Sequence, residues 1–130
     1  MKLVLLILVC SITCISCAQS NDEIIGTWKV KNQYYQAVYE MVEYKGKFFG
    51  KIHYYNDGKT TYKGNNEKED YFLTNVEKRG GKYIKGKMYL PGGAHYEVVF
   101  TLKNKDTLEA LMTVEGQPYK ETWIRKINKQ

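Results

Sequence analysis

From about residue 23 onward, apolar and polar positions alternate in short runs with a period of two, and no stretch of 10–12 residues keeps a 3.6-residue period. In the segment 36–44, Ala37, Tyr39 and Met41 share one face, while Val38, Glu40 and Val42 share the other. In 107–114, Leu108, Ala110 and Met112 stand against Thr107, Glu109, Leu111 and Thr113. The runs are rich in β-branched and aromatic residues and are separated by Gly, Asn, Asp and Lys, which reads as short strands joined by tight turns. Strands are predicted near Ile24–Lys31, Gln36–Tyr44, Lys47–Tyr55, Tyr71–Lys78, Lys82–Leu90, Ala94–Lys103, Thr107–Val114 and Tyr119–Ile127. Lys45-Gly46, Gly80-Gly81, Gly92-Gly93, Asn104 with Asp106, and Gly116 with Pro118 supply the turns. Such short connections favour antiparallel neighbours. Strands with one apolar and one mixed face fit a sheet closed on itself with water outside. The expected fold is therefore all-β: an antiparallel up-and-down barrel of about eight strands. A two-sheet sandwich is the alternative.

One segment breaks the pattern. Residues 58–70 are polar and lack apolar alternation, so they read as a surface loop that is long for a meander. Loops of that length are either functional or simply mobile.

The N-terminus has a different pattern again. Met1-Lys2 supplies a positive charge, Leu3 to Val9 is unbroken aliphatic, and the apolar character continues through Cys10, Ile12 and Ile15. This is the form of a signal peptide. Ser11, Thr13 and Ser16 dilute the run, and Gln19 to Glu23 end it, short of the roughly 20 apolar residues of a spanning helix. Two cleavage sites compete. Ile15-Ser16-Cys17 resembles a bacterial lipobox, although Cys14 stands where leucine is usual; Ser16-Cys17-Ala18 suits an ordinary signal. Residues 1–17 are assigned to the signal peptide, with lipoprotein-type cleavage before Cys17, and 18–130 to a single barrel domain. The expected location is the cell envelope, as a periplasmic or outer-membrane lipoprotein, with a soluble periplasmic or secreted form as the alternative. Acylation of Cys17 would anchor the domain in the membrane.

Composition narrows the chemistry. All three cysteines fall within the first 17 positions, so the barrel has neither disulfide nor thiolate. Its stability must come from packing. The net charge of +6 is spread along the chain without a basic run of five, which argues against nucleic acid as a partner. No serine follows Ser20, and there is no Gly-x-Ser-x-Gly elbow, which argues against the common hydrolase constellations; no enzymatic activity is expected, and an enzyme using His95 or His53 with a carboxylate is the weakest of the readings. His53 and His95 are the only histidines; with Glu97 they fall short of a spacing that demands a metal, and neither metal nor cofactor is expected.

Short pieces of the chain carry a resemblance. Gly26-Thr27-Trp28 opens the first strand and Trp123-Ile124-Arg125 lies in the last. A Gly-x-Trp start with an arginine near the end resembles the lipocalin (calycin) superfamily, in which the arginine packs over the tryptophan and closes the barrel base. Such a cation–π contact contributes about 0.5–2 kcal/mol. The chain also resembles the bacterial family called domain of unknown function 2147, small exported proteins with a lipocalin-like barrel. The matching pieces are Ile25-Gly26-Thr27-Trp28, Phe49-Gly50-Lys51-Ile52, Gly86-Lys87-Met88-Tyr89-Leu90-Pro91, Tyr96, Asp106-Thr107-Leu108 and Glu121-Thr122-Trp123-Ile124-Arg125. Leu90 stands where that family usually has an acidic residue, and Asn65-Asn66 lacks the proline that often follows. The resemblance implies the fold and structural roles for Gly26, Trp28 and Arg125; it implies no activity.

The excess of twelve tyrosines is the remaining signal. Tyrosine joins apolar area to a hydroxyl that seeks a partner when buried, although it is also simply a good strand former. Small Ala37 and Ala110 on inward faces leave space, and methionine lines such a space without fixing its shape. The expected site is thus a cavity in the barrel lined by Tyr39, Met41, Tyr96 and Met112, with His95 near its mouth, taking a small, partly apolar or amphipathic ligand. The alternative is a barrel filled completely by Tyr39, Met41, Phe100, Met112 and their neighbours, acting as a structural or interaction module of the envelope.

Overall fold

The structure, a computed structural model, describes residues 22–64 and 71–127. The expected signal peptide, Cys17 and the Asn65-Asn66 pair lie outside the described residues. Nine strands follow one another: β1 Gly26–Lys31, β2 Gln36–Tyr44, β3 Lys47–Asn56, β4 Thr61–Lys63, β5 Tyr71–Arg79, β6 Lys82–Tyr89, β7 His95–Asn104, β8 Thr107–Val114 and β9 Gln117–Arg125. All pairings are antiparallel, in the order β2-β1-β9-β8-β7-β6-β5-β3, and β3 pairs back onto β2. Eight strands therefore close into an up-and-down barrel, and no sheet edge of that ring is left unpaired.

The predicted strands match within a residue or two, and β2 and β8 match at both ends. Within 58–64, the described part of the polar segment, the structure differs from the loop reading. Thr61–Lys63 forms β4, which pairs with Tyr54 to Asn56 of β3 beyond the point where β5 leaves it. Its backbone pairs with β3 and only Tyr62 of its three side chains packs against the core, too short a run for alternation to reveal a strand.

The inward faces follow the period of two. Ala37, Tyr39 and Met41 of β2 and Leu108, Ala110 and Met112 of β8 are all buried. Two ends of the barrel can be told apart by their turns. The turns β2–β3, β5–β6 and β7–β8 gather at one end with the segment 22–25; the turns β1–β2, β3–β4, β6–β7 and β8–β9 gather at the other.

The first end is closed by two groups of contacts. Trp28 is paired across the ladder with Arg125, whose guanidinium carbon lies 4.4 Å from the ring centroid. Arg125 also donates from Nη1 to the Ile25 carbonyl at 2.8 Å, from Nε to the Lys105 carbonyl at 2.8 Å, and from Nη2 to the Glu23 carbonyl. The Trp28 indole N–H donates to the Ile24 carbonyl at 2.9 Å. The glycine of Gly-Thr-Trp is required twice over: Gly26 has φ +133°, and a Cβ there would lie 2.5 Å from Arg125 Nη1. Beside this, Asp22 accepts from Lys78 Nζ at 2.9 Å, from the Ile24 N–H at 3.1 Å, and from the Tyr83 hydroxyl. Burial would raise the Asp22 pKa, but these three donors outweigh it and hold the carboxyl below its usual range.

Trp28 is fully buried, so Trp28→Ala should destabilise the barrel by about 3–5 kcal/mol, through loss of ring packing and the cavity left under Arg125. Chemical denaturation checks this. A loss below about 1 kcal/mol would show that the closed end does not need the ring.

Candidate functional site

The closed half of the barrel is filled by aromatic rings. Tyr39 stacks on Phe72 with centroids 3.9 Å apart, Trp123 lies 4.9 Å from Tyr39, and Phe100 packs edge-on against Trp123 at 4.8 Å. Met41, Leu73, Val76 and Leu108 complete the fill, all fully buried. The register explains why the rings meet. Tyr39 faces Trp28 across β1–β2, and Leu108 faces Trp123 across β8–β9.

Filling stops at Glu121. It lies two residues before Trp123 on β9, so both point inward. Glu121 is the only charged residue that is buried as a whole among the described residues. Its Oε1 accepts from the Trp123 indole at 2.8 Å and from the Tyr35 hydroxyl, and its Oε2 accepts from the Asn32 amide at 3.3 Å. Burial raises the Glu121 pKa, and the three donors only partly offset it. Burial likewise pushes up the Tyr35 and Tyr39 phenols, with the Glu121 charge adding to both. Tyr39 is the exception to good pairing here. Its hydroxyl is buried beside Tyr35 and has no hydrogen-bond partner among the described residues.

Above Glu121 the barrel opens into a cup of about 590 Å³. Its walls are Tyr35, Tyr55, Tyr96 and Tyr119 with Met88, Met112, Leu90 and Val114, and its rim carries Tyr34, Asp57, Lys59, Ala94 and Glu115. Tyr35 stacks on Tyr55 at 5.4 Å, and Tyr34 meets Tyr119 edge-on at 5.9 Å. The Tyr55 hydroxyl donates to Asp57 Oδ2 at 3.2 Å. Burial, and then Asp57, push the Tyr55 phenol up to about 12. Asp57 Oδ1 accepts the N–H groups of Thr60 at 2.6 Å and Lys59 at 2.9 Å, which hold its carboxyl low. The cup lies within the size range of small-molecule sites, and its lining has their character, apolar with a few placed polar groups.

The candidate residues read from the sequence separate in space. Tyr96 and Met112 line the cup. Tyr39 and Met41 point inward but sit in the filled half beneath it. His95 departs from the expectation of a histidine at the mouth. Tyr96, Val98 and Phe100 face in, so His95 shares the outward parity of Glu97; it is exposed, with its ring 6.3 Å from Tyr89 on the outer surface. His53 is also exposed and lies 2.9 Å from Glu40 Oε1. Among the described residues no group of three His, Cys, Asp or Glu is arranged to hold a metal ion. The residue the sequence reading passed over is Glu121. The available signal was its parity with Tyr119 and Trp123.

No protein-family model matches the chain, and no curated protein matches it. Among solved structures, the barrel superposes on protein HP1028 from the human pathogen Helicobacter pylori, described as belonging to the lipocalin family, with a TM-score of 0.65. The fold is lipocalin-like. The match covers 81% of this chain and 84% of HP1028 at 22% identity, so it bears on the fold alone. In the lipocalin-like barrel described here, the Trp28–Arg125 end is the closed base and the cup is the open mouth.

The raised Glu121 pKa gives a pH signature. A carboxyl whose folded pKa lies above its unfolded value, 4.5, contributes stability below that value and loses it as pH rises through the folded pKa. The stability of the native protein relative to Glu121→Gln should therefore fall as pH rises from about 4.5 towards neutrality. Urea midpoints of the two proteins across that window test it. A constant difference would show that Glu121 does not titrate abnormally.

Proposed function

We propose that this protein binds a small, partly apolar molecule in the open half of its barrel and catalyses no reaction. The observation that carries the reading is the cup itself. It is a tyrosine- and methionine-walled space of about 590 Å³ above a core that is otherwise tightly filled. The filled half fixes the wall positions, so the space is preformed and little ordering is needed on binding. Two methionines in the wall let it adapt to ligand shape. The one floor carboxylate already accepts three hydrogen bonds.

Native mass spectrometry of the protein purified from its own cells tests this. A retained mass of a few hundred daltons is expected, in keeping with a cavity of this size. Met112→Trp, or Ala94→Trp at the rim, should plug the cup and abolish the retained mass while leaving the closed half folded. Retention unchanged in both plugged variants would show that the molecule sits elsewhere. A bare protein mass throughout would favour an interaction module of the envelope.

The proposal extends to the setting. The charged start, aliphatic run and Ser16-Cys17 pair support export and anchoring of the barrel to the envelope as a lipoprotein. The ordered pieces from Ile25-Gly26-Thr27-Trp28 to Glu121-Thr122-Trp123-Ile124-Arg125 support membership of the domain of unknown function 2147 family. Intact mass of the envelope-purified protein should show an acylated cysteine at position 17. A mature chain beginning at Gln19 would contradict the anchor.

A further inference from the structure

The polar groups of the cup are not a neutral assortment. Two carboxylates bracket it, Glu121 at the floor and Asp57 at the rim, and Glu115 joins Asp57 at the mouth. Lys59 is the one cationic residue of the lining, and it is exposed. This local excess of negative charge stands in a chain whose formal net charge is +6. The tyrosines sharpen the bias. The Tyr35 hydroxyl hydrogen is committed to Glu121 and the Tyr55 hydroxyl hydrogen to Asp57. The Trp123 and Asn32 donors at the floor are likewise turned onto Glu121. These groups thus keep for a ligand their acceptor capacity: carboxylate and phenol lone pairs and the faces of the rings.

Just beneath the cup, in the filled half, the Tyr39 hydroxyl is buried beside Tyr35 and Glu121. Aromatic faces attract cations as well, most strongly where water is excluded. Four wall tyrosines, Tyr35, Tyr55, Tyr96 and Tyr119, supply such faces.

We propose that the ligand of the cup is an organic cation: a protonated amine on an apolar body, its ammonium held towards Glu121 and the Tyr35 hydroxyl oxygen, its body against Met88, Met112 and the tyrosine rings. This rests on the cup being a binding site, as proposed above. A fatty-acid type of ligand would instead bring its carboxylate against Asp57, Glu115 and Glu121, with Lys59 alone opposing their charge.

A matched series separates charge from apolar fit. Octylammonium, 1-octanol and octanoate share one hydrocarbon body and differ only in the head group. Titrations of the full-length mature protein, followed by calorimetry at low ionic strength and pH 7, should rank octylammonium first. At least a tenfold advantage over octanol is expected, with octanoate weakest. Asp57→Asn and Glu121→Gln should each reduce the amine advantage several-fold while leaving octanol affinity nearly unchanged. Should Glu121→Gln fail to fold, Asp57→Asn carries the comparison alone, because Asp57 lies at the rim outside the core. Equal affinity for the three compounds, or preference for octanoate, overturns the cation assignment and leaves the cup a binding site. An amine advantage unaffected by both variants also overturns the assignment. Binding of none of the three overturns the assignment and the ligand-binding reading together.

Discussion

The hydrogen bond from the Trp123 indole to the Glu121 carboxylate joins the two halves of this molecule. Below it lies a packed aromatic core, and above it an open cup. Both side chains come from one face of β9, two residues apart, so a single strand both fills the barrel and ends the filling. Trp123 is held by Tyr39, Phe72 and Phe100, which fixes the height of the carboxylate. Glu121 in turn orients Tyr35, and Tyr35 stacks on Tyr55 to form one wall. A buried carboxylate is costly unless it is well paired, and three donors converge on this one. The cost is consistent with a role at the site and not with stability alone, since an apolar residue at position 121 would pack against Trp123 without it.

The closed end provides the rigidity that such a cup requires. Arg125 ties β9 to the segment before β1 through the Glu23 and Ile25 carbonyls, and to the β7–β8 turn through the Lys105 carbonyl, while covering Trp28. With Asp22, Lys78 and Tyr83 alongside, the base is laced by groups from β5, β6 and β9 and from the chain before β1. Binding energy is then not spent on ordering the walls, and specificity can rest on a few placed groups.

Much of the fold was legible because a period of two in side-chain burial survives directly in the sequence. Ala37, Tyr39 and Met41 declare the inward face of β2, and Leu108, Ala110 and Met112 that of β8. The three residues of β4 were illegible, since Thr61-Tyr62-Lys63 is too short a run for its alternation to stand out in a polar segment. The site was legible only in part. Parity says that Tyr39 and Met41 face inward, but not at what depth. Depth is set by strand register, which opposes Tyr39 to Trp28 and so sinks it into the filled half. The orientation of His95 was legible too: its neighbour Tyr96 shares parity with Val98 and Phe100, which turns His95 outward at the start of β7. Glu121 hid in plain view: a glutamate between Lys120 and Thr122 reads as a surface residue until its parity with Trp123 is weighed.

The central claim is that the barrel is solid below Glu121 and hollow above it. Apart from Met1, the chain has three methionines, and they divide across that boundary: Met41 in the filled half, Met88 and Met112 in the cup wall. The direct measurement is a methyl-13C-methionine NMR spectrum recorded while an eight-carbon alcohol is added to saturation. The Met88 and Met112 methyl resonances should move together along one binding curve, with Met41 fixed. Three stationary methyls, or a Met41 shift as large as the other two, would contradict a cup bounded by Glu121.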